Sequence, residues 1–379
     1  MNKILLMPDS FKGTVTSLEA CGIMEKCIKA HFPQCNVISI PIADGGEGTA
    51  ESFVCAMGGR IEHVSCKGPL FEDITACYAM LQDSTAVIEL AAAAGITLAK
   101  ELDPRRTTTY GVGQLVRAAL DIGAKKIILA IGGSATNDFG CGIAAALGVR
   151  FYDRGGKEFI PTGGTLAEVD RIDATHADPR LKNAELVCMC DVTNPPYGPM
   201  GAAHVFAPQK GADAECVELL DAGVKHLCHK VNAELGTDVS DLRGGGAAGA
   251  CGAGMHAFFG FRLQAGIDVL LDTVNFEKLA ADADMIFTGE GRLDSQTLGG
   301  KVVSGIGNRA KALGVPVVAV VGGAKEGCEA IYEHGVTAVF TTNRLAEPFD
   351  PNPEKCKQNL AFAFDNIIRI LNWRKQLWE

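Results

Sequence analysis

The chain has no long apolar run, no cluster of basic residues and no Cys-x-x-Cys motif, and each absence excludes a class of protein. No run approaches the roughly 20 apolar residues that cross a bilayer, so no membrane anchor is expected. A formal charge of −10 without a Lys/Arg block argues against nucleic acid and anionic membranes as partners. The 14 cysteines include no Cys-x-x-Cys, which favours buried thiols in a reducing compartment. We therefore expect a soluble, cytoplasmic protein that acts on a small molecule.

Two common nucleotide-binding motifs are missing as well. Gly300-Lys301 lacks both the upstream glycine and the following hydroxyl of a P-loop, and the His-Arg-Asp and Asp-Phe-Gly set of protein kinases does not occur. Residues 244–249 match the Gly-x-Gly-x-x-Gly dinucleotide pattern, but the segment before them is polar and not strand-like, which disfavours a dehydrogenase. Close helix packing and a backbone cradle for phosphates remain equal alternatives for that segment.

With 379 residues, of which 47% are hydrophobic, the chain is expected to form two domains around a cleft. Both ends of the chain alternate predicted strands with predicted helices, as in a doubly wound parallel sheet. The predicted strands are 4–7, 37–42, 284–288, 315–321 and 336–341, and the predicted helices are 17–30 with Ser17 as N-cap, 47–57, 301–313 and 355–370. The continuous β-branched run at 317–321 is typical of a sheet covered on both faces.

Neither end of the chain holds enough strands for a sheet of its own, so we expect the two ends to pair with each other. The predicted fold class is α/β, with a Rossmann-like doubly wound parallel-sheet domain formed by residues 1–68 and 267–379. A second α/β domain, residues 69–266, is inserted between them. Its clearest predicted strands are 74–81, 85–90, 126–131 and 185–190, and a helix is predicted after Thr109.

Four turns, each placed directly after a short apolar run and each carrying a carboxylate, are the most informative pattern, and three of them contain glycine. They are residues 44–49, 132–138, 191–195 and 289–294. The carboxyl ends of buried parallel strands face a common crevice, where backbone N–H groups hold phosphate and carboxylates hold a metal or accept a proton. Capping is the simpler interpretation of any single turn, but capping does not need adjacent glycines. Together the four turns predict phosphoryl transfer.

Three further segments carry residue types suited to ligands. Ser10 and Lys12 follow the first strand, where they suit a ligand hydroxyl and a phosphate, although a solvated loop is an equal alternative. Arg105 precedes a predicted helix start and suits an anion, but a capped helix with solvated arginines is the simpler interpretation. His226 and His229 are metal-ligand types without a further partner nearby, which favours an ordinary surface helix.

Taken together, the motifs resemble the class I glycerate kinases of bacteria. The blocks that carry the resemblance are residues 8–13, 43–49, 107–111, 132–138, 190–195, 206–211, 246–249 and 288–297. The resemblance implies ATP-dependent, Mg²⁺-assisted phosphorylation of glycerate, with D-glycerate as the expected enantiomer and 2-phosphoglycerate as product. This chain differs from the family pattern at Phe139 and Ala207, where glycine is usual, and at Pro196, where leucine is usual. These differences bear on the shape of the substrate pocket.

Roles follow from what phosphoryl transfer needs, which is positioning of the reactants and compensation of negative charge. We assign Glu290 and Asp294 as ligands of the metal. Asp191, with Asp44 as the substitute, is assigned as the base that accepts the proton of the glycerate hydroxyl. The candidates for binding phosphate and substrate are Ser10, Lys12, Arg105, Gly132, Gly133, Asn194, Lys210 and Arg292.

Alternatives stay open for the reaction and for its class. The kinase could form 3-phosphoglycerate or act on a related hydroxy acid, and a non-catalytic sensor of a sugar acid would keep the same two domains. The expected partners are glycerate and ATP, with no nucleic acid and no membrane, and a homodimer is compatible with the sequence.

Overall fold

The computed structural model describes residues 1–11, 13–43, 45–46, 48–294, 301–344 and 349–378, with side chains described as far as residue 373. The chain divides into two compact units. Unit 1 comprises Met1–Asp44 and Ile267–Glu379, and unit 2 comprises Gly45–Gly266.

The strands of the described ranges are numbered in chain order. They are β1 (Lys3–Pro8), β2 (Asn36–Ser39), β3 (Gly59–Lys67), β4 (Asp73–Leu81), β5 (Thr85–Glu89), β6 (Lys126–Ala130), β7 (Arg150–Tyr152), β8 (Glu158–Phe159), β9 (Arg171–Asp173), β10 (Glu185–Met189), β11 (Arg262–Gln264), β12 (Met285–Gly289), β13 (Arg292–Leu293), β14 (Val317–Val321), β15 (Gly323–Ala324) and β16 (Val336–Thr341).

The α-helices are numbered in the same way. They are α1 (Ser17–His31), α2 (Thr49–Met57), α3 (Ala91–Ala94), α4 (Tyr110–Asp121), α5 (Cys141–Ala146), α6 (Ala202–Phe206), α7 (Ala214–Leu235), α8 (Ala247–Phe259), α9 (Gly266–Thr273), α10 (Phe276–Ala280), α11 (Val302–Leu313) and α12 (Pro353–Trp378). No helix of the described ranges is both long and apolar enough to cross a bilayer.

Unit 1 is built on a parallel sheet with the strand order β16-β14-β12-β1-β2. β1 and β12 pair from Ile4 opposite Met285 to Pro8 opposite Gly289, so the two ends of the chain share one sheet as expected. Helices α1 and α12 cover one face through a common core with β1, β12 and β14. Helix α11 packs on β12, β14 and β16 outside that core, so both faces are covered. The predicted α/β class with a doubly wound parallel sheet is confirmed.

The order of the strands reverses between β1 and β12. From β1 the chain winds to β2 at one edge of the sheet, whereas from β12 it winds through β14 to β16 at the other edge. At such a switch point the loops after the two strands diverge and leave room for a ligand at the carboxyl edge. Asp9 follows β1 there, and Glu290 follows β12.

Unit 2 contains a sheet with the order β11-β10-β6-β5-β4-β3. Strands β11, β10, β6 and β5 pair in parallel, and β4 is antiparallel to both of its neighbours, β5 and β3. Strand β3 is not among the predicted strands, and it pairs with β4 along its whole length, from Gly59 opposite Leu81 to Lys67 opposite Asp73. Helix α2 packs on β4 and β5. Because β3 and α2 make these contacts, unit 2 begins at Gly45, whereas the predicted boundary was near residue 68.

Local signals placed most element boundaries within a few residues. The N-cap of α1 is Thr16, not Ser17, because Thr16 and Glu19 form a capping box: Glu19 N–H donates to Thr16 Oγ1 at 3.2 Å, and Thr16 N–H donates to Glu19 Oε2 at 2.9 Å. The last helix is longer than predicted. The second strand is shorter and ends at Ser39.

Replacing Phe364 with alanine should lower the free energy of unfolding by about 3–5 kcal/mol. The Phe364 side chain is fully buried and packs edge-on against Phe287, with ring centroids 4.8 Å apart. Urea unfolding followed by circular dichroism measures the change. The control is Ile370→Ala on the same helix, where the side chain is 63% exposed and a change below about 0.5 kcal/mol is expected. Equal stability of the two variants would contradict a core between α12 and the sheet.

Candidate functional site

Two acidic residues follow neighbouring strands at the switch point of unit 1. Asp9 N–H donates to Gly289 O at 2.8 Å, which extends the β1–β12 pairing by one residue. Both Asp9 and Glu290 are only 8% exposed. The Asp9 carboxylate accepts the N–H of Ser10 at 2.6 Å, so it shapes the loop that contains this predicted ligand residue. Asp9 is not among the predicted site residues, although a carboxylate directly after an apolar strand is a usable signal.

Asp294 lies among cations at the end of β13. Its Oδ2 is 3.8 Å from Arg292 Nε and 3.6 Å from Lys325 Nζ. The predicted metal ligand Asp294 and the predicted substrate ligand Arg292 are therefore neighbours of each other. Both cations would compete with a metal ion for the Asp294 carboxylate, whereas they suit the phosphates that accompany Mg²⁺ in nucleotide sites.

The carboxylates of unit 1 fit Mg²⁺ only if a bound ligand supplies further oxygen atoms to the metal. No group of three or more His, Cys, Asp or Glu residues in the described ranges is placed to hold a metal ion. Mg²⁺ is usually held by one or two carboxylates, with phosphate oxygens and water completing the shell. Glu290 and Asp294 are carboxylates of this kind, so the residues are compatible with a metal ion brought by a nucleotide.

In unit 2, the loop at residues 131–138 follows β6. Gly132 N–H, predicted as a phosphate donor, donates instead to Gly45 O at 3.1 Å. Gly133 has a left-handed backbone with φ of 71°, and its carbonyl accepts Ile96 N–H at 2.9 Å. Both glycines thus bind neighbouring loops of unit 2, and their predicted contact with phosphate stays a prediction.

Asp138 anchors the end of this loop. Its buried carboxylate accepts Thr109 N–H and Thr109 Oγ1, each at 2.8 Å, and also the N–H groups of Gly140 at 3.1 Å and Gly142 at 3.3 Å. Burial raises the pKa of Asp138, and the four hydrogen bonds oppose that shift. The carboxylate holds the start of α4 against the start of α5, so its role in this structure is to fix the loop.

Lys210, a predicted phosphate cation, lies inside unit 2 with 2% of its surface exposed. Its ammonium donates to Ser134 Oγ and to Thr136 O, both at 2.7 Å. Burial lowers the pKa of Lys210 to about 8, while the charge of Asp138 opposes the shift. A cation of this kind holds the loop after β6, and it would strengthen the attraction of the loop for a negatively charged ligand.

Beside this cation, the loop contains polar atoms that lack partners. Thr136 Oγ1, Asn137 Oδ1 and Asn137 Nδ2 are buried and have no hydrogen-bond partner within the described part of the chain. A buried polar group without a partner costs about 1–3 kcal/mol. Native proteins accept such a cost mainly at sites with a function. No motif in the sequence singled out Asn137 from its neighbours.

The first turn of α8 is strained and lies against the same two residues. Ala248, Gly249 and Ala250 have left-handed backbones, with φ of 53°, 67° and 64°. This conformation costs about 1–2 kcal/mol for a residue with a Cβ atom. Gly249 is required because a Cβ atom there would lie 2.2 Å from Thr136 O and 2.3 Å from Asn137 Cα. Close packing, one of the two alternatives for residues 244–249, is thus observed at Gly249, and the phosphate cradle stays a prediction.

The predicted base, Asp191, differs from these residues because it is exposed. It follows β10 by two positions, and its Oδ1 accepts Gly266 N–H at 2.7 Å. Asn194 lies in the same loop, where its Nδ2 donates to Met200 O at 2.8 Å and its backbone carbonyl accepts Gly246 N–H at 3.0 Å. These two predicted site residues therefore belong to one loop, which contacts the residues that lead into α8.

The Arg105 side chain is hydrogen-bonded within its own loop. Its Nε and Nη2 donate to the two carboxylate oxygens of Asp103 at 2.8 and 3.0 Å. This hydrogen-bonded pair lowers the pKa of Asp103. A substrate carboxylate would have to replace Asp103, so the predicted role of Arg105 stays a prediction. Lys12, Asp44 and Glu47 lie outside the described residues.

In both units, open α/β sheets carry polar and acidic loops at the carboxyl ends of parallel strands, which is the arrangement of enzymes that handle phosphorylated small molecules. The profile described as "Glycerate kinase family" matches residues 4–372. The chain belongs to the glycerate kinase family.

Known proteins resemble the chain over its whole length. A glycerate kinase of Bacillus subtilis (strain 168) is 44% identical over 379 residues, which is 99% of this chain and 99% of the relative. A glycerate 2-kinase of Escherichia coli (strain K12) is 40% identical, covering 97% of this chain and 98% of the relative. A crystal structure assigned to glycerate kinase 2 of Salmonella typhimurium LT2 has a TM-score of 0.89 and 40% identity, covering 99% of both chains.

Replacing Lys210 with methionine should change how stability depends on pH. The pKa of Lys210 is about 8 in the folded protein and near 10.4 in an unfolded chain. Between these values the unfolded chain binds more protons, so the contribution of Lys210 to stability rises with pH. The free energy of unfolding of the wild type minus that of K210M should grow by about 1 kcal/mol per unit between about pH 8 and pH 10.

Urea unfolding at several pH values provides this difference. Lys225→Met, which removes an exposed lysine from α7, serves as the reference for the loss of one surface charge. A constant difference between wild type and K210M across this range would refute the desolvation of the Lys210 ammonium.

Proposed function

We propose that the protein is a glycerate kinase that transfers the γ-phosphoryl group of ATP to glycerate and forms 2-phosphoglycerate. The observation that carries the proposal is the family match over residues 4–372. It is supported by relatives named glycerate kinase and glycerate 2-kinase that align over at least 97% of this chain. The relative named glycerate 2-kinase is the reason to prefer the 2-position as the site of phosphorylation.

Unit 1 is assigned to the nucleotide. Its switch point has the position in which open α/β sheets bind nucleotides, and it places Ser10, Asp9 and Glu290 at the ends of two paired strands. Phosphoryl transfer depends on positioning of the phosphates and compensation of their charge. Arg292 and Lys325, which flank Asp294, supply positive charge near this edge. Lys12 remains a further candidate cation from the sequence.

Mg²⁺ is proposed as the metal, with Glu290 and Asp294 as the carboxylates that would hold it. Bound with ATP, Mg²⁺ offsets the negative charge of the phosphates and orients them. Glu290 is only 8% exposed, and burial lowers the effective dielectric around a charge, which strengthens its interaction with a cation. Asp294, which follows the short strand β13, would be the second carboxylate ligand.

Unit 2 is assigned to the acceptor substrate. Asp191 is proposed as the base that receives the proton of the glycerate hydroxyl, because it is an exposed carboxylate at the carboxyl end of a central strand. The hydrogen bond from Gly266 N–H orients its Oδ1. Asn194 in the same loop and the buried cation Lys210 are candidates for substrate contacts, and Asp44 remains the substitute base.

Release of ADP in a coupled assay should depend on glycerate, and it should be much weaker with glycolate, lactate or tartronate. Glycolate and lactate lack one of the two hydroxyl groups of glycerate, and a site built to hydrogen-bond both discriminates strongly against such analogues. Phosphorus NMR of the product distinguishes 2-phosphoglycerate from 3-phosphoglycerate. Absence of glycerate-dependent ADP release from folded protein would refute the proposed function, and formation of 3-phosphoglycerate would correct the position.

Replacing Asp191 with asparagine should lower kcat by about 10²–10⁴-fold, because the amide cannot accept the proton. Nucleotide affinity, measured by ATP titration in calorimetry, should change little. The asparagine carbonyl can still accept Gly266 N–H, so the loop should keep its conformation. Asp73→Asn, which changes an 85% exposed carboxylate on β4, is the matched control. Turnover near that of the wild type would remove Asp191 from the role of base.

A further inference from the structure

Two features that cost stability coincide in unit 2, where the loop at 131–138 meets α8. The side chains of Thr136 and Asn137 are buried without partners among the described residues. The turn at Ala248–Ala250, which packs on the backbone of these two residues, is itself left-handed. Strained backbone and unsatisfied polar atoms concentrate at functional sites, because selection for stability alone removes them. Their coincidence indicates a site, and neither feature has a structural benefit on its own.

The turn covers the two polar residues directly. The close approach of Gly249 to Thr136 and Asn137 leaves no space for a Cβ atom, and Phe139 N–H donates to Gly249 O at 3.1 Å. Displacement of this turn would relieve the strain and uncover the backbone of these two residues. The turn therefore has the properties of a cover that a ligand can displace.

The chemistry of the covered atoms indicates which ligand fits. The Asn137 side chain offers one acceptor and an NH₂ group, and the Thr136 hydroxyl both donates and accepts. Phosphate oxygens are only acceptors when ionised, so the Asn137 carbonyl would repel them. Substrate hydroxyl groups donate and accept, as these two side chains do. The Lys210 ammonium, which binds Thr136 O and Ser134 Oγ at 2.7 Å, adds positive charge suited to a carboxylate.

We propose that Thr136 and Asn137 bind the hydroxyl groups of the acceptor substrate, and that the turn at Ala248–Ala250 moves aside when the substrate enters. The ligand class is a small hydroxy acid, with its hydroxyl groups on the two side chains and its carboxylate toward Lys210. This inference rests on the proposed function and deepens it, because it names substrate-binding residues of the same site.

Replacing Asn137 with leucine tests the binding role. Leucine has a similar size and removes the unpartnered amide, so the thermal midpoint should stay equal or rise. The KM for glycerate should rise by about tenfold or more, which is the loss expected for a good hydrogen bond to substrate. The KM for ATP should stay within about twofold. Stabilisation by glycerate in thermal unfolding should be lost, while stabilisation by ATP is kept.

A second variant tests the cover and does not depend on how leucine is accommodated. Glycine adopts left-handed backbone without strain, so Ala248→Gly should raise the thermal midpoint. Because it stabilises the covering conformation, it should also raise the KM for glycerate severalfold. The control is Ser84→Gly, at a left-handed residue between β4 and β5 with φ of 69°, where the midpoint should rise without a change in KM.

The outcomes separate this inference from the proposed function. Wild-type protein without glycerate-dependent ADP release contradicts the proposed function itself. Active wild type together with an N137L protein that keeps the wild-type KM for glycerate overturns only the inference, whether or not N137L is less stable. In that case the amide serves folding, for instance through internal water. An A248G protein with a raised midpoint and unchanged KM likewise overturns the movement of the turn.

Discussion

The pairing of β1 with β12 is the interaction on which unit 1 depends. Buried backbone N–H and C=O groups must be paired, and a strand as apolar as β1 can satisfy them only in the middle of a sheet. The pairing joins residues far apart in sequence; Thr288 Oγ1 donates to Met7 O at 2.9 Å across 281 positions. After β1 the chain continues to one edge of the sheet, and after β12 it continues to the other edge, so the loops after these two strands diverge. The acidic edge with Asp9 and Glu290 is a direct consequence.

In unit 2, buried charges determine the shape of the loop after β6. Asp138 accepts four hydrogen bonds from the starts of α4 and α5, and Lys210 holds the loop from the other side. Burial of each charge is costly, and their mutual attraction and hydrogen bonds offset part of that cost. The loop is therefore rigid where it is bonded. Asn137, whose side chain has no partner among the described residues, lies between Thr136, whose carbonyl binds Lys210, and Asp138.

Membership of the glycerate kinase family gives these edges a chemical meaning. A kinase for a small hydroxy acid needs one region that compensates phosphate charge and another that recognises hydroxyl groups. The acidic and basic residues near β13 suit the first task, and the uncharged polar residues after β6 suit the second. The structure also changes the set of candidate site residues. Arg105 and Gly132 are hydrogen-bonded within unit 2, whereas Asp9 and Asn137, which the sequence did not single out, become candidates.

The sequence alone determined the α/β class, most of the helices and strands of unit 1, the pairing of the chain ends and the family. These depend on local signals, namely continuous apolar runs, capping residues and glycine-rich acidic turns, which act within a few residues. It did not reveal β3, because that strand is half exposed and lacks an apolar run. Only the tertiary structure showed that Lys210 is buried, that Arg105 is paired with Asp103 and that Asn137 has no partner among the described residues. Burial and pairing are properties of contacts between distant segments, and a linear pattern does not contain them.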